Sequence, residues 1–343
     1  MSFKIVDLNH KNQELWQSYV LKNPDATFFH RAEWKSVIKD SFGHDSYYLM
    51  ALNEGDVCGV LPLVHVRSAL FGNRLVATAF CVGGGVLADN EDVFVALHDC
   101  ANELMTQIGA DYVEYRAPTN IHESWLNREG LYANFSREIA PDEDDCLKQI
   151  PRKQRAVLRK AFANGLTCQH GKDADDFYHL YSLGMRNLGT PVFSKAYIKN
   201  LLSAFGDDCD VTTIYHDDKP ISSVLTFYFK GAALPYYTGA SSASRPLGGA
   251  DFMYWTLMRA SVAKGCRDFD FGRSKVGTGA YSFKKNWGFT PDPLTIGFSM
   301  NGDQDMPNVN PNNAKYKYFI KAWKMLPHVV ANKIGPHIAK QLG

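Results

Sequence analysis

The spacing of hydrophobic residues along the first half of the chain alternates between a strand pattern and a helix pattern. Closely spaced apolar residues at 47–52 and 57–66 flank the turn signal Glu54-Gly55-Asp56, which predicts a β-hairpin. Residues 91–108 are apolar at helical spacing, and residues 111–116 return to a strand pattern. Short strands and helices in this mixed order predict an α+β domain with helices on both faces of a sheet.

The second half of the chain repeats this order of elements, although no repeat is visible residue by residue. The pattern predicts helices at 150–165, 175–187 and 195–205, a hairpin at 211–216 and 220–230, a strand at 232–239, a helix at 251–264, and strands at 267–271 and 294–300. Repetition at the level of elements predicts two copies of one mixed unit. We therefore expect one domain at residues 1–145, a second at 146–306, which contains the candidate residues for chemistry, and a tail at 307–343.

Composition narrows the class of protein without indicating a partner. Apolar residues make up 45% of the 343 positions and charged residues 21%, which is ordinary for a soluble globular protein. The formal net charge of +1 predicts no partner for the molecule as a whole. Two segments are nevertheless strongly basic: residues 152–160 hold five Arg or Lys and no acid, and the tail at 307–343 holds six Lys and no acid.

Cysteine spacing and hydropathy set further expectations. The seven cysteines are dispersed and never form C-x-x-C, so neither a disulfide framework nor a zinc site is predicted, and the histidines show no metal-ligand spacing. No apolar run reaches the roughly 18 residues that a membrane span needs, and the first residues lack an apolar signal core. We therefore expect a cytoplasmic protein with reduced thiols, no metal and no tightly bound cofactor.

Residues 245–250 are the first candidate for chemistry. Arg245, Gly248, Gly249 and Ala250 follow a predicted strand and precede a predicted helix, in the pattern R-x-x-G-x-A. Glycines let backbone N–H groups approach an anion closely, and a helix N-terminus attracts negative charge. The pattern resembles the loop with which GCN5-related N-acetyltransferases (GNAT proteins) hold the pyrophosphate of acyl-CoA. A simple turn before a helix would give the same residues.

A more specific resemblance lies further along the chain. Residues 266–272 (CRDFDFG) and 283–289 (FKKNWGF), separated by a glycine-rich spacer, are similar to the signature of Fem-type aminoacyl and acyl transferases. Residues 155–165 are similar to the R-x-x-x-R-K-A-x-x-x-G helix of the same family. Other segments resemble the FemAB-like proteins associated with exosortase/PEP-CTERM systems of bacteria that make exopolysaccharide: 150–155, 187–195, 234–237, 251–255, 270–275 and 284–288.

This resemblance implies both a fold and a reaction. The fold is two tandem GNAT-like domains. The reaction is transfer of an acyl or aminoacyl group from an activated co-substrate, acyl-CoA or aminoacyl-tRNA, to an amine. The implied acceptor is a small molecule or a glycan or peptide precursor of the cell envelope, peptidoglycan or exopolysaccharide. The chain lacks the long coiled-coil arm of some Fem members, so tRNA binding stays open.

The catalytic expectation rests on Lys284. In the family, the lysine of the Phe-Lys pair, here Phe283 and Lys284, is thought to stabilise developing negative charge. Independently of the family, a fixed cation at the carbonyl oxygen can lower an acyl-transfer barrier by about 3–4 kcal/mol. Asp270, on the preceding predicted strand, could accept a proton from the amine or orient Lys284. The alternatives are a solvated lysine packed on Trp287 and an ordinary salt bridge for Asp270.

Basic and aromatic side chains are the expected donor and substrate contacts. Arg155 and Arg159 lie on the basic face of the predicted 150–165 helix, which suits a phosphate-bearing donor or an anionic polymer such as tRNA. Arg273 and Lys275 follow Asp270 and are expected to contact substrate. Four tyrosines join them, because a polar tip suits sugar or peptide recognition: Tyr236, Tyr237, Tyr254 and Tyr281. A solvated basic face and core tyrosines would explain the same residues.

Two further interpretations stay open. The protein could be a non-catalytic scaffold or a saccharide-binding protein that retains the GNAT-like fold. The tail at 307–343 combines its lysines with an apolar stripe, so it could also lie peripherally on an anionic inner membrane.

Overall fold

The computed structural model describes residues 3–68, 72–118, 120–302, 305–307 and 314–343. The chain folds as two compact units. Unit 1 comprises Met1–Leu131, Leu294–Val309 and Lys340–Gly343. Unit 2 comprises Tyr132–Pro293 and Asn310–Ala339. The chain therefore leaves unit 1, builds most of unit 2, and contributes two later segments to unit 1.

Unit 1 is built mainly from the first 131 residues. Its elements are β1 (Lys4–Asp7), α1 (Gln13–Lys22), a 3-10 helix (Phe28–His30), α2 (Glu33–Phe42), β2 (Asp45–Asn53), β3 (Asp56–Ser68), β4 (Gly72–Ala77), β5 (Leu87–Ala88), α3 (Glu91–Gln107) and β6 (Tyr112–Arg116). β7 (Leu126–Asn134) then leads into unit 2.

Unit 2 carries most of the helices. In chain order its elements are β8 (Ser136–Glu138), α4 (Glu143–Gln149), α5 (Arg152–Phe162), β9 (Thr167–Gly171), α6 (Ala174–Leu188), α7 (Lys195–Ala204), a 3-10 helix (Gly206–Asp208), β10 (Cys209–His216), β11 (Lys219–Phe229), β12 (Ala232–Ala240), α8 (Ser244–Leu247), α9 (Gly249–Ala263), β13 (Asp268–Asp270), β14 (Ser274–Lys275), α10 (Gly279–Asn286), α11 (Ala314–Met325) and α12 (His328–Ala339). Between α10 and α11, β15 (Asp292–Met300) carries the chain back to unit 1.

Each unit contains a mixed sheet. In unit 1 the strand order is β1-β2-β3-β4-β6-β15, with β5 paired to β3, and only the β4–β6 pair among those described is parallel. In unit 2 the order is β8-β13-β12-β11-β10-β9, and only β12 and β13 are parallel. Parallel neighbours need a crossover connection, and α9 supplies it in unit 2.

The parallel pair in unit 2 separates early. β12 and β13 are paired at two positions among the described residues, Ala232 with Asp268 and Ala233 with Phe269. β12 continues to Ala240, whereas β13 ends at Asp270. The Phe271 N–H still donates to the Phe135 carbonyl at 2.8 Å, next to the β13–β8 pairs, and the chain then turns at Gly272, whose φ of 68° favours glycine. The sheet of unit 2 is consequently open between β12 and the residues that follow β13.

Separate hydrophobic cores stabilise the two units. The core of unit 1 lies between its sheet and α3, and includes Leu61, Leu75, Leu97, Val113 and Trp125. The core of unit 2 lies largely between its sheet and α9, α10 and α5, and includes Phe135, Leu158, Val224, Phe269 and Trp287. The α+β expectation with two mixed units is therefore confirmed.

Many of the predicted elements are present at nearly the predicted positions. The two hairpins are β2–β3 and β10–β11, and their turns hold Glu54, Asp217 and Asp218 at positive φ. The helix predicted at 91–108 is α3, whose first turn is capped by the side chain of Asn90. These elements agree because their turn and cap signals are local to the sequence.

The region around residues 245–289 differs from the prediction. The open loop expected at 245–250 contains the one-turn helix α8 and the start of α9. The glycine-rich turn after Gly272 contains the short strand β14, and residues 279–286 form α10 where no helix was predicted. The Thr278 hydroxyl accepts the Tyr281 N–H at 3.3 Å and caps α10, a weak signal without a second capping residue.

The predicted domain limits also differ from the two units. Residues 132–145 belong to unit 2 because β8 pairs with β13. Residues 294–300 belong to unit 1 because β15 pairs with β6. The described part of the predicted tail forms α11 and α12, which pack on α6 in unit 2, and its last four residues belong to unit 1. Among the described residues, no helix combines the length and the apolar composition that a membrane crossing requires.

Gly239 provides a test of the packing between β12 and α6. A Cβ at this position would fall on backbone atoms of Leu180 and Tyr181, which cannot rotate away. Gly239→Ala should therefore lower the free energy of unfolding by about 1–3 kcal/mol or more, seen as a lower urea midpoint. The matched control is Gly171→Ala, since a Cβ there meets nothing within 4 Å. Equal midpoints for the two variants would contradict this packing.

Candidate active site

Lys284 is a buried cation at the end of β13. Its side chain extends from α10 and is 9% exposed. The ammonium group donates hydrogen bonds to the backbone carbonyls of Gly272 at 2.8 Å and Arg273 at 3.2 Å. The ammonium nitrogen also lies 5.5 Å from the ring centroid of Phe135 and 6.0 Å from that of Phe271. The expectation of a solvated lysine stem is therefore wrong, since this amine does not face open water.

Burial sets the protonation behaviour of this lysine. It lowers the pKa of Lys284 to about 8, the nearby charge of Arg273 acts in the same direction, and the carboxylate of Asp270 opposes both. The amine thus titrates close to physiological pH, far below the ordinary lysine range. A lysine with this pKa is cationic in most molecules at neutral pH and can lose its proton just above it.

Asp270 lies beside Lys284 at the end of β13. Its Oδ1 atom accepts the Gly272 N–H at 2.8 Å and the Asn134 side-chain amide at 3.0 Å. Burial raises the pKa of this carboxyl, whereas these two hydrogen bonds and the charge of Lys284 partly offset the rise. The same turn, at Gly272, therefore binds Asp270 through its N–H and Lys284 through its carbonyl.

Aromatic rings surround this pair. Phe283 packs against Tyr254, Phe271 and Trp287, with ring centroids 5.6, 6.4 and 6.0 Å away. Tyr281 meets Phe135 edge-on at 5.1 Å. Phe283 thus contributes a hydrophobic surface next to the lysine, and it carries no group that could exchange a proton. Rings on several sides keep water from part of the ammonium, which is the physical cause of its lowered pKa.

A second buried carboxylate fixes the helix that carries Lys284. Asp251, in the first turn of α9, is 9% exposed. Its Oδ1 atom accepts the Trp287 indole N–H of the α10 C-cap at 3.1 Å, and also the side-chain amide of Gln154 from α5. Burial raises the pKa of Asp251, and these two hydrogen bonds oppose the rise. One carboxylate therefore ties α5 and α10 to the start of α9.

The R-x-x-G-x-A segment is a packed junction. A Cβ on Gly248 would lie 2.9 Å from the Cβ of Ala161, and one on Gly249 would lie 2.8 Å from the Ser244 hydroxyl. Both glycines are thus required by close packing with α5 and α8. Arg245 is exposed, while Ala250 is half-buried in the first turn of α9. Phosphate binding by these residues stays a prediction.

The basic helix lies next to this junction. The Asn164 amide, just after α5, donates to the Leu247 carbonyl at 2.9 Å. Arg155 is half-buried and Arg159 is exposed, and within the described ranges neither guanidinium takes part in a hydrogen bond or an ion pair. Two predicted groups of donor-binding residues, on α5 and at 245–250, are therefore brought together by the fold of unit 2.

The predicted substrate contacts separate into two sets. The guanidinium of Arg273 stacks over the Tyr132 ring at 4.4 Å. Lys275 pairs with Tyr132 across β14 and β7. Arg273 and Lys275 thus belong to the segment that follows Gly272, whose carbonyl binds Lys284. Tyr254 also belongs to this set through its ring contact with Phe271 at 4.7 Å. The other set is further along β12. The hydroxyl of Tyr237 lies 3.1 Å from that of Tyr197 on α7, and Tyr236 packs on Phe227 at 5.3 Å.

Sequence patterns missed the residues that support this site. Asn134 was assigned no role, and Gln154 and Asp251 were part of similarity segments without an assigned role. Only the fold places Asn134 beside Asp270, from which it is separated by 136 positions in the chain. Phe135, which contacts Lys284, was missed for the same reason.

Comparison with known protein families identifies one of the two units. Residues 146–285, all within unit 2, match the family model of an acetyltransferase (GNAT) domain. This match contains Lys284, Asp270 and the whole 245–250 segment. No curated protein sequence matches this chain.

Solved structures share the architecture of the whole chain at low sequence identity. The crystal structure of FemX has 14% identity and a TM-score of 0.67, covering 85% of this chain and 96% of that one. A tandem GNAT protein from the clavulanic acid biosynthesis pathway has 11% identity and a TM-score of 0.57, covering 89% and 100%. The C-terminal domain (DUF2156) of a putative lysylphosphatidylglycerol synthetase from Agrobacterium fabrum has 14% identity and a TM-score of 0.57, covering 86% and 94%.

These likenesses establish the fold class. The chain has a tandem GNAT-type α+β fold, as predicted. The expectation of an acyltransferase is confirmed at the level of the GNAT domain in unit 2.

The pKa of Lys284 can be measured directly. With lysine labelled at Cε, NMR titration should give a pKa of about 8 for the resonance that disappears in Lys284→Arg. Asp270→Asn should move this pKa further down, because the carboxylate raises it in the native protein. Asp268→Asn, two positions earlier on the same strand, is the control and should leave the pKa unchanged. An ordinary lysine pKa in the native protein would refute the buried position of the amine.

Proposed function

We propose that this protein is an N-acyl or aminoacyl transferase whose reaction takes place beside Lys284 in unit 2. One observation carries the proposal: a buried ammonium group is held at the point where β12 and β13 separate. Ligands of α/β sheets commonly bind beyond the carboxyl ends of parallel strands, where such neighbours diverge. This position supports the proposal that the lysine meets the reactive carbonyl of a bound donor.

Acyl-CoA is the donor that this arrangement favours. β12 runs seven residues beyond its last pair with β13, from Leu234 to Ala240, and so offers backbone groups on that side. The pantetheine arm of CoA is an extended chain with two amide groups, roughly what β-strand addition requires. The 245–250 segment follows β12 directly, with Arg155 and Arg159 on the adjacent helix for the phosphates. Aminoacyl-tRNA is the second candidate, because the same arginines suit a nucleic-acid backbone.

The chemical step follows from the position of the ammonium. The acceptor amine attacks the donor carbonyl carbon, a C–N bond forms, and the C–S bond of the thioester, or the C–O bond of an aminoacyl ester, breaks. Two N–H groups of Lys284 are bound by Gly272 and Arg273, which leaves the third to stabilise the oxygen anion of the tetrahedral intermediate. The proton lost by the amine passes to Asp270 or directly to the leaving thiolate or hydroxyl.

For the acceptor, we propose an amine on a cell-envelope or exopolysaccharide precursor. The support is the similarity of residues 150–155, 187–195 and 270–275 to FemAB-like proteins associated with exosortase/PEP-CTERM systems, together with the FemX-like architecture. Arg273, Lys275, Tyr254 and Tyr281 are the side chains proposed to contact it. Such a precursor is made inside the cell, which fits a cytoplasmic location.

Lys284→Met tests the proposed role of the lysine. The substitution preserves much of the side-chain volume and removes the charge, so kcat should fall about 100-fold to 1,000-fold. Turnover is measured as release of CoA thiol from acetyl-CoA with a panel of amines, and as release of free tRNA from aminoacyl-tRNA. Donor binding should persist, and is measured as the rise in melting temperature that each donor causes.

Lys285→Met is the matched control for this experiment. Lys285 is the exposed neighbour of Lys284 on the same helix, so its loss should leave kcat unchanged. Normal turnover by Lys284→Met would exclude the catalytic role of the lysine. If neither acetyl-CoA nor aminoacyl-tRNA raises the melting temperature of the native protein, the scaffold or saccharide-binding alternative is favoured instead.

We further propose that the α11–α12 region rests on an anionic membrane surface. Large apolar side chains project from it into solvent, with Tyr318 77%, Met325 76% and Val329 78% exposed. Lys321, Lys324 and Lys333 are exposed on the same two helices, and the segment from 307 onwards contains no acid. Apolar side chains flanked by lysines fit a surface of anionic headgroups over acyl chains. A peripheral position would place the enzyme near lipid-linked precursors.

The membrane proposal predicts the behaviour of a double variant. Met325→Glu with Val329→Glu should lower binding to phosphatidylglycerol vesicles at least about tenfold, because two charges replace apolar contacts. Binding is measured by co-sedimentation. Leu21→Glu in α1 is the control. Leu21 is likewise an exposed apolar residue, 54% exposed, but it lies in unit 1. Equal losses in both proteins, or none in either, would contradict a specific lipid surface.

A further inference from the structure

Four side chains of unit 1 bind the segment Lys340–Gly343 one residue at a time. His44 donates to the Lys340 carbonyl at 2.7 Å, and the Ser68 hydroxyl donates to the Gln341 side-chain oxygen at 3.1 Å. Arg74 donates to the Leu342 carbonyl at 2.8 Å, and Arg116 donates to the Gly343 carbonyl oxygen at 2.7 Å. These four residues, His44, Ser68, Arg74 and Arg116, are called the arginine cradle below.

The arginine cradle recognises backbone more than side chains. Three of the four hydrogen bonds named above end on backbone oxygens of the segment, and the fourth ends on the side chain of Gln341. The side chain of Leu342 is 36% exposed, and Lys340 is exposed as well. Hydrogen bonds therefore hold much of the segment, so a competing peptide with other side chains before its last residue could make the same contacts. The last residue is restricted to glycine, because a Cβ on Gly343 would lie 2.8 Å from Arg74 Nη2 and 3.2 Å from the side chain of Val66.

The cradle itself is built into the sheet of unit 1. Arg74 lies on β4 and Arg116 on β6, and they are only 4% and 8% exposed. Arg116 is fixed by Glu114 at 2.7 Å and by the Cys81 carbonyl at 3.0 Å. The ring of His44 stacks on that of Phe80, with centroids 5.6 Å apart. Arg116 and His44 are thus held in place by groups other than the segment, so this part of the cradle is preorganised.

The charge of the cradle favours an anionic occupant. Two buried guanidinium groups face the segment, and Glu114 is the carboxylate that pairs with Arg116. Release of the segment removes one oxygen acceptor from each guanidinium, and the oxygen of another ligand could take that place. Arginine meets a carboxylate through charge-assisted and often bidentate hydrogen bonds.

We propose that the arginine cradle is a binding site for a peptide that ends in a carboxylate, and that the chain's own segment Lys340–Gly343 occupies it and is displaced by that peptide. The site lies wholly in unit 1, and the proposal does not depend on the acyl-transfer reaction in unit 2. His44, Arg74 and Arg116 would bind this peptide through the backbone oxygens of the peptide. Unit 1 would thereby select or retain a peptide-bearing partner of the protein.

The test uses a fluorescein-labelled Lys-Gln-Leu-Gly peptide with a free carboxylate, and follows its anisotropy. A chain shortened by residues 340–343 should bind this peptide at least about tenfold more tightly than the full chain, because the internal competitor is gone. In the shortened chain, Arg74→Gln should weaken binding at least about tenfold, since one charge-assisted hydrogen bond is lost. Arg67→Gln, an exposed arginine on the neighbouring strand β3, should leave the affinity unchanged.

Two measurements keep the proposal falsifiable. The amidated peptide should bind more weakly than the acid, and equal affinities would refute a carboxylate site. In the full chain, excess peptide should speed hydrogen exchange at the amides of residues 341–343, an experiment that does not require the shortened chain to fold. If the segment exchanges at the same rate with and without peptide, or the folded shortened chain gains no affinity, the segment is only a structural strap. Neither result would bear on turnover by unit 2.

Discussion

A buried ammonium group and the two carbonyls that hold it organise the candidate site. An isolated charge inside a protein is strongly destabilising, so Lys284 can be 9% exposed only where oxygen atoms replace its water. The carbonyls of Gly272 and Arg273 supply those oxygens because β13 has ended and the chain has turned at Gly272. The early end of the strand and the burial of the lysine are therefore two parts of one arrangement. Burial lowers the pKa of Lys284 to about 8, because these contacts replace only part of the lost hydration.

The same turn holds the carboxylate of Asp270 through the Gly272 N–H. A cation and an anion are thus fixed within one short segment, each bound by backbone groups that cannot move independently. Asp251 adds a second restraint at the same end of α10, through the indole of Trp287, which is the C-cap of the helix. The two restraints limit the motion of Lys284, and a preorganised charge needs no rearrangement when an anion develops nearby. This restraint is the physical argument for the catalytic role that we propose for Lys284.

Unit 1 uses buried charge in a different way. Arg74 and Arg116 donate to the backbone oxygens of Leu342 and Gly343, and Arg116 is also bound by Glu114 and the Cys81 carbonyl. In unit 2 the oxygen ligands of the buried cation belong to the turn that follows β13. In unit 1 one oxygen ligand of each arginine belongs to the segment Lys340–Gly343, which side chains of unit 1 hold by hydrogen bonds. That contrast is why the lysine is assigned to chemistry and the arginines to exchangeable binding.

The fold and the candidate site were predictable from the sequence to different degrees. Hairpin turns at Glu54-Gly55 and Asp217-Asp218 were predictable, as was the Asn90 cap, because each depends on residues a few positions apart. The α+β class followed from the order of these local elements, and the Phe-Lys pair pointed to Lys284 through family similarity.

Tertiary structure alone decided what surrounds that lysine. Asn134 reaches Asp270 across 136 positions, and Gln154 and Trp287 reach Asp251 across 97 and 36. The same holds for the glycines at 248 and 249: the sequence predicts a phosphate loop there, and the folded chain adds close packing against Ala161 and Ser244. Local periodicity and turn chemistry act within a few residues, so the sequence by itself determined the elements and the fold class. Burial, and with it the pKa of Lys284, depends on which distant segments pack together, and only the folded chain decides that.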